Sequence, residues 1–178
     1  MKVFEIIKIG SDLLREKKIS SHILDSEILL SKTLNISREE ILVNLDQNIN
    51  EKKISIFQKY IKRRSKNEPI AYILEEKEFW SKKFALNKNT LIPRPETELL
   101  VEKLIKICKG KKISILDVGT GSGCIIISLL SELNLSKGTG IDISKNAVLL
   151  AKKNASKYGL LNRIKFLNNS FENLFNKK

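Results

Sequence analysis

From the N-terminus to about Lys66, apolar residues recur every three or four positions, the spacing of amphipathic helices. Phe4, Ile7, Leu13 and Leu14 give a first apolar face. The stretch "SSHILDSEILLSKTL" gives a second, with Ser20 or Ser21 as cap and Ile23, Glu27, Leu30 and Leu34 near the helical repeat. Ser37 and Glu40 form an S-x-x-E capping box that opens a short third helix. Asn50 caps a fourth, in which Ile54, Phe57 and Ile61 share a face while Lys59, Lys62, Arg63 and Lys66 stay in water. Residues 1–70 are therefore expected to form a small helical bundle.

The helical period fails over 71–95. "EFWSKKFAL" reads as a hairpin with Phe79 and Phe84 toward a core, bridging two domains. Pro93 and Pro95 forbid regular structure around Arg94, and Pro95 suits the first turn of a helix running through Leu99, Val101 and Leu104 to Gly110. Glu96 and Glu98 suit the positive start of that helix. Over 96–178 the rhythm becomes strand, loop, helix, strand. "ISILDV" is a nearly continuous apolar strand of the kind buried in a parallel sheet, "CIIISLLSEL" a helix apolar on most faces, and "GTGID" a second strand. Ser144 caps the next helix, Gly159 ends it, and "IKFL" makes a third strand. The fold class is α/β: an N-terminal helical bundle followed by the first half of a doubly wound, Rossmann-like sheet.

Composition changes this picture little. The 178 residues carry a formal charge of +13, mostly as scattered lysine, which reads as a solvated surface more readily than as a nucleic-acid footprint. No apolar run reaches the roughly 20 residues of a membrane span, and the charged N-terminus has no secretory h-region. We expect a cytoplasmic protein with no membrane partner. Cys108 and Cys124 have neither zinc-ligand spacing nor nearby histidine, and His22 stands alone, so no metal site is expected.

The chemistry concentrates in "ILDVGTGSGC", Ile115 to Cys124. A glycine turn between strand and helix lets backbone approach a ligand closely. The spacing is G-x-G-x-G rather than the dinucleotide fingerprint, Cys124 stands where the third glycine of that fingerprint would be, and no G-K-[ST] follows to hold phosphates. Asp117, two residues before Gly119, would sit poorly beside a pyrophosphate and better beside a cation. Asp142 ends the next strand, where a carboxylate accepts from both hydroxyls of a ribose. Ribose without pyrophosphate points to S-adenosylmethionine.

Read together, "NEPIAYILEEKEFWSKKFALNKNTLIPRPETELLVEKLI", "ILDVGTGSGC" and "GIDISKNAVLLAKKNA" closely resemble the HemK/PrmC family of protein-(glutamine-N5) methyltransferases, which modify the GGQ-motif glutamine of class I peptide chain release factors. The resemblance implies that Gly119, Thr120, Gly121, Ser122 and Gly123 wrap the methionine part of S-adenosylmethionine and that Asp142 binds its ribose. Ser170 and Phe171 stand where the family has an acidic residue and an aromatic flanking the adenine, so stacking by Phe171 is kept. The bundle would help recognise the release factor, and "LIPRPETE" would lie near the cofactor cleft. The family's N-P-P-Y motif, which holds the substrate amide, is absent from these residues, so no catalytic residue is assigned.

The tail "NLFNKK" has no strand pattern, and the first strand becomes a sheet edge. The expectation is a chain that aggregates, binds cofactor weakly, or takes a missing C-terminal half from another polypeptide. Two alternatives belong to other classes. One is a non-enzymatic module binding a release factor or RNA through Lys59, Arg63, Arg64 and Lys66. The other is an amino-methyltransferase of nucleic acid, against which "EFWS" and "LIPRPETE" weigh.

Overall fold

The computed structural model describes residues 1–175; the last three residues of the "NLFNKK" tail lie outside the described residues. The chain divides into two compact units, Met1–Leu74 and Glu75–Lys178.

The first unit holds α1 (Val3–Glu16), α2 (His22–Leu34), α3 (Arg38–Val43), α4 (Glu51–Arg64) and α5 (Ile70–Leu74). The Ser37/Glu40 capping box forms as expected, the Ser37 hydroxyl accepting from the Glu40 N–H and the Glu40 carboxylate from the Ser37 N–H. Asn50 caps α4 by accepting from the Lys53 N–H. The phase of α1 differs from expectation. Val3, Ile6, Gly10 and Leu14 face the core, while Phe4 and Leu13 are exposed. The reason is Gly10. A Cβ there would lie 2.6 Å from Phe57 Cζ and 2.6 Å from Ser26 Oγ, so glycine lets α1 press against α2 and α4. The Ser26 hydroxyl, fully buried, donates to the Ile7 carbonyl across that contact. In α2, Ile23 is likewise exposed, and Leu29 joins Leu30 in the core.

Gly10→Ala should therefore destabilise the first unit although alanine favours helix by about 1 kcal/mol. Overpacking costs about 1–3 kcal/mol, and both contacted side chains are themselves buried. The expected result is a lower urea midpoint by far-ultraviolet circular dichroism; an unchanged or higher midpoint would show that the helices can spread.

Arg63 and Arg64, read from sequence as part of a wet basic face, are engaged in the bundle. Arg64 Nε donates to Asp25 at 2.7 Å with both side chains largely buried, and Asp25 also accepts from the Ser21 hydroxyl. Arg63 makes a two-pronged pair with Glu68. Breaking a buried pair such as Arg64–Asp25 strands a charge and costs about 3–5 kcal/mol.

The second unit begins with a hairpin, β1 (Glu76–Phe79) and β2 (Lys82–Ala85), paired Phe79 to Lys82. The hairpin expected to bridge the domains is instead part of this unit's core. Phe79 and Phe84 are fully buried and meet edge to face, because two large rings on one face of a two-stranded ribbon must find a third surface to cover them. Then come α6 (Glu96–Cys108), β3 (Ser114–Val118), α7 (Cys124–Glu132), β4 (Lys137–Asp142), α8 (Lys145–Lys157), β5 (Ile164–Asn168) and α9 (Phe171–Phe175). Of the residues expected on the apolar face of α6, Val101 is buried and Leu99 is exposed.

The three later strands form a parallel sheet in the order β3-β4-β5. Helices α7 and α8 cover one face, where Gly138 lets Ile126 and Leu130 lie directly on β4. On the other face Leu116 is 44%, Val118 52% and Leu167 42% exposed, and the outer edge of β3 has no strand partner among the described residues. Fully covered parallel sheets bury both faces; this one is covered on one.

Candidate functional site

The site lies at the C-terminal ends of β3 and β4, where ligands of open α/β sheets bind. The chain leaves β3 at Val118 and turns through Gly119 (φ 72°), Gly121 (φ 56°) and Gly123 (φ 79°). The N–H groups of Gly119 and Thr120 both donate to the Ile141 carbonyl at 2.9 Å, folding the loop over the end of β4.

The five loop residues are placed differently. A Cβ on Gly119 would meet nothing within 4 Å, and on Gly121 only the Gly119 carbonyl at 3.8 Å, so backbone here faces open space. Gly123 points inward, where a Cβ would fall 2.9 Å from Ile127 and 3.3 Å from Ala151. Both lie on helices, α7 and α8, so this glycine serves helix packing rather than close approach to a ligand. Thr120 and Ser122 are buried. The Thr120 hydroxyl donates to Asp117 at 2.7 Å.

Asp142 stands beside the loop as the spacing implied. One carboxylate oxygen accepts from the Gly121 N–H at 2.9 Å and the other from the Ser144 N–H at 2.9 Å. Each oxygen keeps a lone pair for a further donor. Phe171, half exposed at the start of α9, lines a recess of about 190 Å³ with Val118, Gly119, Ile141 and Asp142. Gly119, Asp142 and Phe171 therefore meet in one place. Ser170 does not line that recess; its hydroxyl accepts from the Asn173 N–H.

Burial raises the Asp117 carboxyl above its ordinary value, and the Asp142 charge adds to the rise; the hydrogen bonds from Thr120 and the Ile126 backbone oppose it. Two carboxylates around one loop make this corner acidic within a basic chain. Burial likewise pushes the Cys124 thiol up to about 11, leaving it a protonated, inert side chain.

Two groups of residues were not assigned a site role from the sequence. Asn154 on α8 is buried; its amide donates to the carbonyls of Ala85 and Ser122 and accepts from the Ala85 N–H, tying hairpin, helix and glycine loop together. Asn168, at the end of β5, donates to the carbonyls of Asp142 and Ile143 and fixes the turn after β4. Neither has a local signal, because its partners lie 69 and 26 positions away in sequence. The distinctive "EFWS" and "PETE" stretches also meet. Trp80 and Ser81 both adopt φ 52°, and the Trp80 N–H donates to the Glu98 carboxylate at 2.8 Å. A tight turn of two non-glycine residues at positive φ is costly, and Glu98 holds it.

The parallel sheet with a G-x-G-x-G loop over one strand end and an acidic residue at the next defines a class I, Rossmann-like methyltransferase domain. Residues 5–74 match the PrmC N-terminal domain and residues 109–178 a methyltransferase domain. The chain is similar to members of the HemK/PrmC family. It is 43% identical over 155 residues to a release factor glutamine methyltransferase of Leptospira interrogans, covering 86% of this chain and 54% of that protein. A release factor glutamine methyltransferase of Buchnera aphidicola is 41% identical over 150 residues, with 84% and 54% covered. A bifunctional methyltransferase of Rickettsia conorii is 39% identical over 200 residues, with 98% and 38% covered. The chain thus spans about half the length, or less, of these relatives. Among solved structures, the N-terminal domain of human METTL16 in complex with SAH aligns at a TM-score of 0.39 and 19% identity, over 76% of this chain and 51% of that one.

Proposed function

We propose that this chain supplies the S-adenosylmethionine-binding half and the substrate-recognition bundle of an enzyme that methylates the side-chain nitrogen of the GGQ glutamine in class I release factors. The observation that carries this reading is the Asp142 carboxylate, held by Gly121 and Ser144 with a lone pair left on each oxygen, beside glycine backbone that faces open space. In this reading Asp142 accepts from the ribose hydroxyls, the Gly119–Gly121 backbone borders the methionine portion, and Phe171 lies against the adenine. Asp117 offers negative charge toward the methionine ammonium. The bound cofactor supplies a methyl group on a positive sulfur, an electrophile strong enough for an amide nitrogen. The residues that would hold the glutamine amide are not found in these 178. The reading therefore assigns these residues binding and orientation, and leaves the holding of the glutamine amide to residues outside them that cover the open side of β3. The exposed Leu116, Val118 and Leu167 support that arrangement.

Asp117 gives a test. Its folded carboxyl binds its proton more tightly than that of the unfolded chain, so stability falls as pH rises from the ordinary carboxylate value through the raised one. Asp117→Asn lacks that loss. We expect its melting temperature to gain on the parent as pH goes from about 4 to about 8. We also expect its affinity for S-adenosylhomocysteine, by calorimetry, to fall about tenfold, the loss of one charged contact. A variant both more stable and as tight-binding would remove Asp117 from the ligand site.

A further inference from the structure

A groove of about 280 Å³ runs between α1 and α4 in the first unit. Ile6, Phe57 and Ile61 form its floor, each nearly inaccessible; Ile9 and Leu13, each 45% exposed, stand along one side. Gly10 makes the groove possible by bringing α1 down onto Phe57. The two helices run the same way, since Met1 and Ile54 line one end while Lys17, Lys62 and Ser65 line the other.

The charge along this groove is one-sided. No acidic side chain lines it; Lys17 and Lys62 are exposed at one end, and neither ammonium has an ion-pair partner among the described residues. That same end holds the C-termini of α1 and α4, where the helix dipoles are negative. A helix lying antiparallel to both would place its positive N-terminal end there, and acidic residues in its first turn would meet the lysines.

We propose that this groove docks an amphipathic helix of a partner protein. The helix presents a row of large apolar side chains and carries Asp or Glu in its first turn, and it lies antiparallel to α1 and α4. The mode is a helix seated in an apolar groove, with the apolar row supplying affinity and the charges at one end setting direction. The groove spans most of α1, roughly 20 Å at 1.5 Å per residue, room for about four turns of a partner. The surface belongs to the first unit alone and does not depend on the methyl-transfer reading.

The test uses the full chain and a fluorescein-labelled helical peptide of about 18 residues. The peptide has leucines at i, i+4, i+7 and i+11 and three acidic residues in its first turn. A second peptide carries the same acids in its last turn. Anisotropy should show saturable binding of the first peptide, at least tenfold tighter than the second. Leu13→Asp, and the pair Lys17→Glu with Lys62→Glu, should each weaken it at least tenfold. All three replaced residues are exposed, and unchanged circular dichroism confirms that the variants fold. Absence of saturable binding, equal affinity for the two peptides, or indifference to either variant would overturn the proposal. So would a dimer in sedimentation that Leu13→Asp dissolves, for then the occupant is a second copy.

Discussion

Asp142→Ala is expected to weaken binding of S-adenosylhomocysteine by a hundredfold or more. Two hydroxyls of a ribose would donate to this carboxylate, and hydrogen bonds to a charged acceptor contribute about 1.5–3 kcal/mol each, so losing both is worth two or more orders of magnitude in affinity. The same substitution releases the Gly121 and Ser144 N–H groups, which Asp142 currently fixes. Asp142→Asn separates the two effects. It keeps one oxygen as acceptor and much of the loop geometry, and should fall between the parent and the alanine variant. Calorimetric titration of all three reads the result. Equal affinity of parent and alanine variant would move the ribose site elsewhere.

The second large effect is expected at Asn154. With alanine there, the Ala85 N–H and the carbonyls of Ala85 and Ser122 lose their partners inside the protein. Leaving buried polar groups unsatisfied costs about 1–3 kcal/mol apiece, so the second unit should lose about 3 kcal/mol, a fall of roughly 10 °C or more in melting temperature. The Trp80 fluorescence transition follows this, since Trp80 packs against the same core. Asn154→Asp retains only the acceptor for the Ala85 N–H and should remain strongly destabilised. A drop of less than about 1 kcal/mol would mean that water replaces the amide. Because the Ser122 carbonyl belongs to the glycine loop, the alanine variant should also bind cofactor less well.

What could be seen in the sequence follows from the range of the interactions involved. The capping box at Ser37 and Glu40, the Asn50 and Ser144 caps, the three strands and the glycine loop are local, and each occurs where its spacing implied. The phase of α1 was misread because four apolar residues suggest a stripe, whereas the tightest contact is made by Gly10, which no hydrophobic pattern marks. Arg63 and Arg64 looked like a solvent face for the same reason. Their partners, Glu68 and Asp25, are visible only once α2 and the turn after α4 are folded beside them. The hairpin looked like a connector because four-residue strands carry little pattern, and only the burial of Phe79 and Phe84 assigns it to the second unit.

Within the candidate site, Asp142, Gly119 and Phe171 were legible from spacing and resemblance together. Asn154 and Asn168 were not, because an asparagine in a helix or at a strand end has no signature until its distant carbonyls are known. The stretches "EFWS" and "LIPRPETE" were the most distinctive part of the sequence, and "LIPRPETE" was expected to lie near the cleft. The contact observed between them is structural: Glu98 secures a turn whose backbone would otherwise be unfavourable.

The open edge of β3 and the uncovered face behind it leave the second unit with stability still to be gained from whatever covers them. A polypeptide that binds the folded sheet and not the unfolded chain adds RT ln(1 + [L]/Kd) to its folding free energy, about 2.7 kcal/mol at a hundred times Kd. Anything that covers Leu116, Val118 and Leu167 would therefore lengthen the lifetime of the folded glycine loop as well.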